Sequence, residues 1–324
     1  MGVKGLNKFF KKHASPNSIQ TIFFHELGGK TVVIDTSIYL YKYLETGKLL
    51  ESMYEFIILC FENKINPIFI FDGKPPDSKM KTLNARYTKR FNACNNYYNI
   101  KQQYEEEHDK LNEEEKYAFL KKISTYKRRA IRLSTNNIIR VKSLMSALCV
   151  EHYEAINEAD TLCAEYVKSG KAWACVSDDM DMFVYNCPRV LREWNIYKQE
   201  AILYNFRDLK NDLSLQEESH IKTIFALVRN DYCNLNISID TAMKWFYEYK
   251  VEMEGRFNNT LITWLYSKLY ITQNQCEKLY ETIQIFNNSN NETMEETVSN
   301  KQKKKNIDIQ MLHQILSPYG FIFI

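Results

Sequence analysis

The sequence predicts an α/β fold, a central and mostly parallel twisted sheet with helices on both faces. Three observations lead to it. Thr31–Asp35 (TVVID), Pro67–Asp72 (PIFIFD) and Ala172–Ser177 (AWACVS) are short β-branched and aromatic runs with the character of buried strands. Apolar-periodic stretches, notably Ile38–Asn63 and Asp160–Lys168, lie between them. Each run also ends on an acidic residue or passes directly into one. Alternating strands and helices favour parallel pairing, because a helix carries the chain back across the sheet before the next strand. The carboxyl ends of such strands meet at one edge, where open α/β sheets place their ligands.

At 324 residues, 45% hydrophobic and 26% charged, the chain can build one large domain or two ordinary ones around a full core. Its eight cysteines stand apart with no CxxC, which argues against a zinc site or a disulfide framework. Cys60, Cys149, Cys163 and Cys175 lie in apolar runs and read as reduced core thiols of an intracellular protein. The opening MGVKGLNKFFKKH lacks the apolar stretch of a signal peptide, and Phe56–Phe61 is core-sized, too short for a membrane span. Leu6 stands where myristoylation at Gly2 would want Ser or Thr. There is no internal repeat.

The net charge of +3 hides a strong asymmetry. From Lys116 to Val150 there are nine Lys and Arg and no acid, directly after an acidic block running from Glu105 to Glu115. A solvated helix face would account for a short charge run. A long segment with no balancing acid favours a polyanionic partner.

The chemistry gathers on carboxylates. Asp35, Asp72 and the cluster Asp178-Asp179-Met180-Asp181 close the three strand runs, and Glu158 and Asp160 open the helix after Val150–Ala155. One acid alone is a turn residue, or an acid favoured by a helix N-terminus. Several at one sheet edge repel one another unless cations neutralise them, and hard divalent ions such as Mg²⁺ or Mn²⁺ suit oxygen ligands.

MGVKGLNKFF, VVIDTSIYLY, PIFIFDGKPP, NEADTLCAEYVKSGKAWACVSDDMDMF and RNDYC stand in that order over roughly residues 1 to 250. They resemble the consecutive signature blocks of the flap endonuclease/XPG family of structure-specific 5′ nucleases. The resemblance implies a nuclease core over 1–250. Within it, block 1–78 is followed by a helical arch or cap over the active site (79–148), then by an internal block (149–250). That last block holds a degenerate helix–turn–helix DNA-binding element around 221–250. It implies a metal-dependent phosphodiesterase that cleaves DNA at 5′ flaps or branched junctions in replication, repair or recombination, in the nucleus or a cytoplasmic DNA-replication compartment. Two Mg²⁺ ions, with Mn²⁺ able to substitute, would lie roughly 3.5–4 Å apart and act on an in-line displacement. The family's seven metal-site acids match Asp35, Asp72, Glu158, Asp160, Asp179, Asp181 and Asp231, with Asp160 in place of the more usual Glu. By the resemblance Asp35, Asp72, Glu158 and Asp160 hold the first ion and Asp179 and Asp181 the second. Asp231 serves the second site directly or through water. Lys79 and Arg86 match the cations that clamp the scissile phosphate. Tyr41 matches an aromatic that stacks on a base, although Tyr39 and Tyr43 flank it. Gly2 matches a glycine that approaches the DNA closely. Lys4 is a candidate phosphate contact, and Arg128, Arg129 and Arg132 would line the arch.

The pattern also departs from the family. After Asp231 the family has a glycine-containing hairpin that holds K⁺ and duplex phosphates; here NLNISIDTAMKWF has no glycine, which counts against K⁺. Ser238 or Asp240 could still cap a helix running through Lys250. The sliding-clamp motif is absent, and a monomer with no membrane contact is expected. Residues 251–324 carry little family signal. Residues 287–306 are polar and of low complexity, as a disordered loop would be. The final FIFI reads as a terminal strand or a partner-binding tail. A 5′→3′ exonuclease on duplex ends and a non-catalytic nucleic-acid-binding scaffold remain as alternatives.

Overall fold

The structure, a computed structural model, describes residues 2–75, 79–253, 260–288 and 306–321. The expected disordered loop, apart from its ends, and the last three residues of the FIFI tail lie outside them. The chain divides into two compact units. The first comprises Met1–Thr36, Glu55–Pro75 and Val150–Gln302; the second comprises Ser37–Tyr54, Pro76–Cys149 and Lys303–Ile324.

All described strands belong to the first unit: β1 (Ile19–Phe23), β2 (Thr31–Asp35), β3 (Asn66–Phe71), β4 (Glu151–Glu154), β5 (Ala174–Val176), β6 (Arg189–Asn195) and β7 (Glu200–Asn205). They form one sheet in the order β1-β7-β6-β5-β2-β3-β4. From β6 to β4 every pairing is parallel, whereas β7 runs antiparallel to both β6 and β1. The sequence therefore disclosed the parallel centre and missed the hairpin at one side. The β6–β7 turn carries no glycine; Asn195 Oδ1 accepts from the amides of Tyr197 and Lys198 instead, and Gln199 takes φ +52°. A register shift between Arg192 and Asn195 breaks the alternation that would have announced β6.

The described helices are α1 (Leu6–His13), α2 (Thr36–Thr46), α3 (Leu49–Glu62), α4 (Met80–Glu107), α5 (Glu113–Ala130) and α6 (Thr135–Ala147), followed by α7 (Ala159–Lys168), α8 (Phe206–Asp212), α9 (Glu218–Leu227), α10 (Ile239–Met253), α11 (Leu261–Ser267), α12 (Gln273–Asn288) and α13 (Ile309–Leu316). The single periodic stretch 38–63 is two helices, α2 and α3, parted at Gly47, whose φ of +76° a helix cannot hold.

Alternate side chains of the central strands feed two cores, as the two-residue period of a strand requires. Val33, Ile68, Ile70, Cys175 and Val190 join a cluster with Cys163 and Val167 of α7, Ile224 and Phe225 of α9 and Phe10 of α1. Phe69 meets Phe56 of α3 at 5.7 Å between ring centroids; Phe56 stacks on Trp194 at 5.4 Å and Trp194 on Phe24 at 4.0 Å. Both faces of the sheet are thereby covered, which is why its central strands read as continuous apolar runs.

In the second unit α4 and α5 pack along each other as a helical hairpin, with Ala93 buried and Tyr104 against Phe119 at 5.9 Å. The acidic block lies at the hairpin's exposed turn. Asn112 and Glu115 form a reciprocal cap there, and Glu113–Glu115 complement the positive end of α5. Lys127, Arg128 and Arg129 occupy the last turn of the same helix, so part of the charge asymmetry follows helix polarity. The C-terminal α13 packs on α6; Asp308 N donates to Ala147 O at 2.8 Å, and Leu312 and Leu316 are buried. Cys149 is exposed, which corrects its assignment to the core. It follows the last turn of α6 with φ +57°, a left-handed helix end that turns the residue outward, and its thiol reaches Asn306 O at 3.1 Å.

Candidate metal centre at the sheet edge

The adjacent parallel strands β5, β2 and β3 point their carboxyl ends the same way, and six of the seven predicted acids follow from that fact or from the start of α7. Asp35 is the last residue of β2 and is 3% exposed. Asp72 follows β3 directly, and its Oδ1 accepts from Ala159 N at 2.9 Å, so it caps α7. That cap fixes the helix start, and with it Glu158 before the helix and Asp160 in its first turn. After β5 the chain turns through Ser177. Its hydroxyl donates to Asp35 Oδ2 at 3.0 Å and accepts from Asp179 N at 3.1 Å. Asp179 in turn caps the 3-10 turn Met180–Phe183 by accepting from Asp181 N at 3.1 Å.

The outcome is a cluster in which one carboxylate oxygen each of Asp160, Asp179 and Asp181 lies within 4.8 Å of the others. Three like charges so close are unfavourable by themselves, and an all-oxygen donor set suits a hard divalent cation. These residues could therefore hold a metal ion. The grouping crosses the division implied by the family resemblance, which set Asp160 with Asp35, Asp72 and Glu158. Asp178 takes no part: its Oδ1 accepts from Glu193 N at 2.8 Å and its carbonyl from Arg192 Nη2 at 2.8 Å, tying it to β6.

Gly2 lies against this cluster. A Cβ on it would stand 2.3 Å from Asp179 Oδ1 and 2.7 Å from Asp181 Oδ1, and its φ is +80°. Asp231 sits in the loop after α9. There Asn230 Oδ1 accepts from the amides of Tyr232 and Cys233, while Lys4 N donates to Arg229 O at 3.0 Å. Glu158 Oε2 accepts from Tyr232 OH at 3.1 Å, so the same loop reaches the start of α7. Burial above all, with Tyr232, Asp160, Asp181 and Glu158 adding their charges, holds the Tyr185 phenol well above its ordinary pKa.

Ser177, Tyr232 and Gly73 escaped the sequence reading. A Cβ on Gly73 would meet Ala155 O at 1.9 Å, because Gly73 N donates to Asn157 O and Lys74 N to Ile156 O just before α7. The FDG tripeptide held the one available signal for it. In the loop between α9 and α10, Asn236 takes φ +61°, so asparagine supplies a left-handed residue in a segment without glycine. Ser238 caps α10 by accepting from Thr241 N at 3.1 Å, and the helix runs on to Met253.

The remaining predicted residues belong to the second unit. Lys79 precedes α4 and is buried, with Arg86 half-buried nearly two turns on. Tyr41 is 41% exposed while Tyr39 and Tyr43 are buried, and its hydroxyl accepts from Arg90 Nη1 at 3.5 Å. Arg128 pairs with Glu45 at 3.1 Å; Arg129 lines a groove with Lys89, Arg90 and Tyr126; Arg132 is exposed after α5.

Among the described residues no helix is long and apolar enough to cross a membrane. The family model described as the XPG N-terminal domain matches residues 1–93, and that described as the XPG I-region matches 149–231, together more than half of the chain. By sequence the chain is similar to flap endonuclease 1 of Lodderomyces elongisporus, 29% identical over 252 residues, 72% of this chain and 62% of that protein. It is likewise 29% identical over 286 residues to flap endonuclease 1 of Meyerozyma guilliermondii, covering 82% of this chain and 71% of that one. In fold it is similar to the catalytic core of Rad2 in complex with a DNA substrate, with TM-score 0.65 at 17% identity over 99% of this chain and 95% of that one. Human GEN1 in complex with Holliday junction DNA gives TM-score 0.61 at 13% identity, over 99% and 74% of the two chains.

Proposed function

This chain belongs to the flap endonuclease/XPG family, and on that premise we propose that it is a metal-dependent hydrolase cleaving DNA at 5′ flaps or branched junctions. The observation that carries the reading is the Asp160, Asp179 and Asp181 cluster at the carboxyl edge of the parallel strands. Asp35, Asp72, Glu158 and Asp231 complete the acidic set, with Ser177 and Tyr232 orienting two of its members through hydrogen bonds. Divalent ions held there, two Mg²⁺ or Mn²⁺, would supply Lewis acidity towards the phosphodiester and lower the pKa of a bound water. The chain's own carboxylates fix where that positive charge resides. Gly2 keeps the approach to Asp179 and Asp181 free of side-chain atoms, so a phosphate can come close. Lys79 and Arg86 are assigned to the scissile phosphate, Tyr41 to stacking on a base, and Lys4, Arg128, Arg129 and Arg132 to the DNA backbone.

We assign 1–250 to the nuclease core, with 79–148 as its arch, and expect a monomer acting where DNA is replicated or repaired. The chain spans 62% of the length of the first relative above, so activity and substrate are tested directly. End-labelled 5′-flap, nicked, blunt and single-stranded DNA are incubated with Mg²⁺ beside Asp179→Ala. Cutting at the flap junction that EDTA abolishes, and that the variant slows by roughly 10²-fold or more, is the expected result. Stepwise products from blunt ends would assign a 5′→3′ exonuclease, and no cutting with intact DNA binding would assign a scaffold.

A further inference from the structure

We propose that Phe286, on α12, is a positioning residue for the metal centre: it holds the Tyr232 ring so that the phenol hydroxyl is aimed at Glu158. The proposal rests on the metal-dependent reading above and extends it into 251–324, where the sequence carries little family signal. Phe286 meets Tyr232 edge-to-face, with ring centroids 5.8 Å apart and planes at 80°. It is 2% exposed and belongs to the larger core cluster, and the half-buried Tyr232 packs against that cluster. The Tyr232 ring is therefore braced by the core, while its hydroxyl donates to Glu158 Oε2 at 3.1 Å.

Glu158 needs such a brace more than the aspartates do. Asp72 and Asp179 each accept from a rigid backbone amide close by. Glu158 has one more rotatable bond than an aspartate, and although it stands at the N-cap of α7 its side chain makes no cap hydrogen bond. A hydrogen bond to Oε2 leaves Oε1 to face a cation, and partners of this kind set the orientation of a metal-ligating carboxylate. The main chain under Tyr232 is fixed separately. Asn230 Oδ1 accepts from Tyr232 N at 2.9 Å and Cys233 N at 2.7 Å, and Asn230 Nδ2 donates to Val228 O at 2.9 Å. What remains free is rotation about the two side-chain bonds of Tyr232, and that is the freedom Phe286 limits. α12 is itself held in place beside α9 and this loop. Thr282, on the same helical face as Phe286, lies beside the Cys233 thiol, and Asn287 Oδ1 accepts from the buried Lys222 at 2.7 Å.

The test reads metal binding and cleavage on the full chain. Mn²⁺ alone is titrated, with the free ion read by electron paramagnetic resonance, and flap cleavage is followed over a Mg²⁺ series. Phe286→Ala is expected to weaken Mn²⁺ binding by roughly tenfold or more. It should raise the Mg²⁺ concentration for half-maximal cleavage by a similar factor and leave KM for flap DNA at its native value. Phe286→Leu, which fills most of the volume without a ring edge, should move both readings the same way, and serves if the alanine variant does not fold. Leu279→Ala removes another buried side chain of α12, about 10 Å from Phe286 along the helix axis. It should lower the thermal midpoint and leave Mn²⁺ binding unchanged. Tyr232→Phe keeps the ring and removes the hydroxyl, and should reproduce the loss of Mn²⁺ affinity. Adding Phe286→Ala to it should lose nothing further, because the two act through one hydrogen bond. Native Mn²⁺ affinity in Phe286→Ala, or full additivity with Tyr232→Phe, overturns the proposal. An equal loss in Leu279→Ala overturns it too, since a loosened core would then be the cause. A native chain that binds Mn²⁺ and cuts no DNA removes the nuclease reading alone, and the same binding comparison still decides the role of Phe286. A native chain that neither binds Mn²⁺ nor cuts removes both.

Discussion

A methyl group on Gly2 would press into Asp179 and Asp181, and the φ of +80° already strains any L side chain there. The conflicts do not fall on flexible tips alone, since Asp179 Oδ1 is held by Asp181 N and the methyl would also stand 2.7 Å from that backbone amide. Gly2→Ala should therefore move the acids rather than be absorbed elsewhere. A displacement of about 1 Å in a catalytic array costs on the order of 10²-fold in rate. We expect Gly2→Ala to slow flap cleavage by about that factor while the thermal midpoint hardly changes, because Gly2 contributes no side chain to the core. Unchanged turnover would mean that Asp179 and Asp181 do not act together. By contrast, the acids were legible in the sequence because each ends a strand run or opens a helix. Ser177, Tyr232 and Gly73 were not, since their partners are 142, 74 and some eighty residues away along the chain.

At the scale of elements, the helical hairpin and the C-terminal helix are built by different rules. α4 and α5 have little buried surface and rely on propensity, a reciprocal cap at Asn112 and Glu115, and charges that complement the helix ends. α13 is only eight residues long and depends on burying Leu312 and Leu316 beside α6, since a helix so short is unstable by itself. Leu316→Ala is expected to destabilise the second unit by about 2–5 kcal/mol, read as an earlier urea transition by circular dichroism. A transition that does not move would show that α13 is not docked in solution. No motif in the sequence announced this helix. Its apolar residues make a periodic stripe, but only the position of α6 explains what the stripe meets.

Across the whole molecule, acids converge on one edge of the sheet while cations spread over α4 and α5. The acidic edge should make stability depend on divalent ions. Without them the Asp160, Asp179 and Asp181 charges oppose folding; with them, binding adds about 2.7 kcal/mol at a hundredfold excess over Kd. Mg²⁺ should therefore raise the thermal midpoint of the native chain. Asp179→Asn keeps the cap to Asp181 N and removes one charge. It should melt at or above the native temperature without Mg²⁺, and gain little when Mg²⁺ is added. A full Mg²⁺ shift in this variant would count against the cluster as the ion's seat.

By itself the sequence determined the parallel centre of the sheet, the helical character of 79–148 and the acids at the strand ends. Those features are local: apolar runs, a missing set of breakers, a charge one residue past a strand. The tertiary structure decided which acids share a site, because Asp160 joins Asp179 and Asp181 only once β5 lies beside β2 and Asp72 caps α7. It also decided that β6 and β7 turn the sheet antiparallel, that Asp178 faces away, and that Cys149 is exposed. Each of these depends on groups brought together from distant parts of the chain, and no local pattern of residue types encodes where such a partner will be.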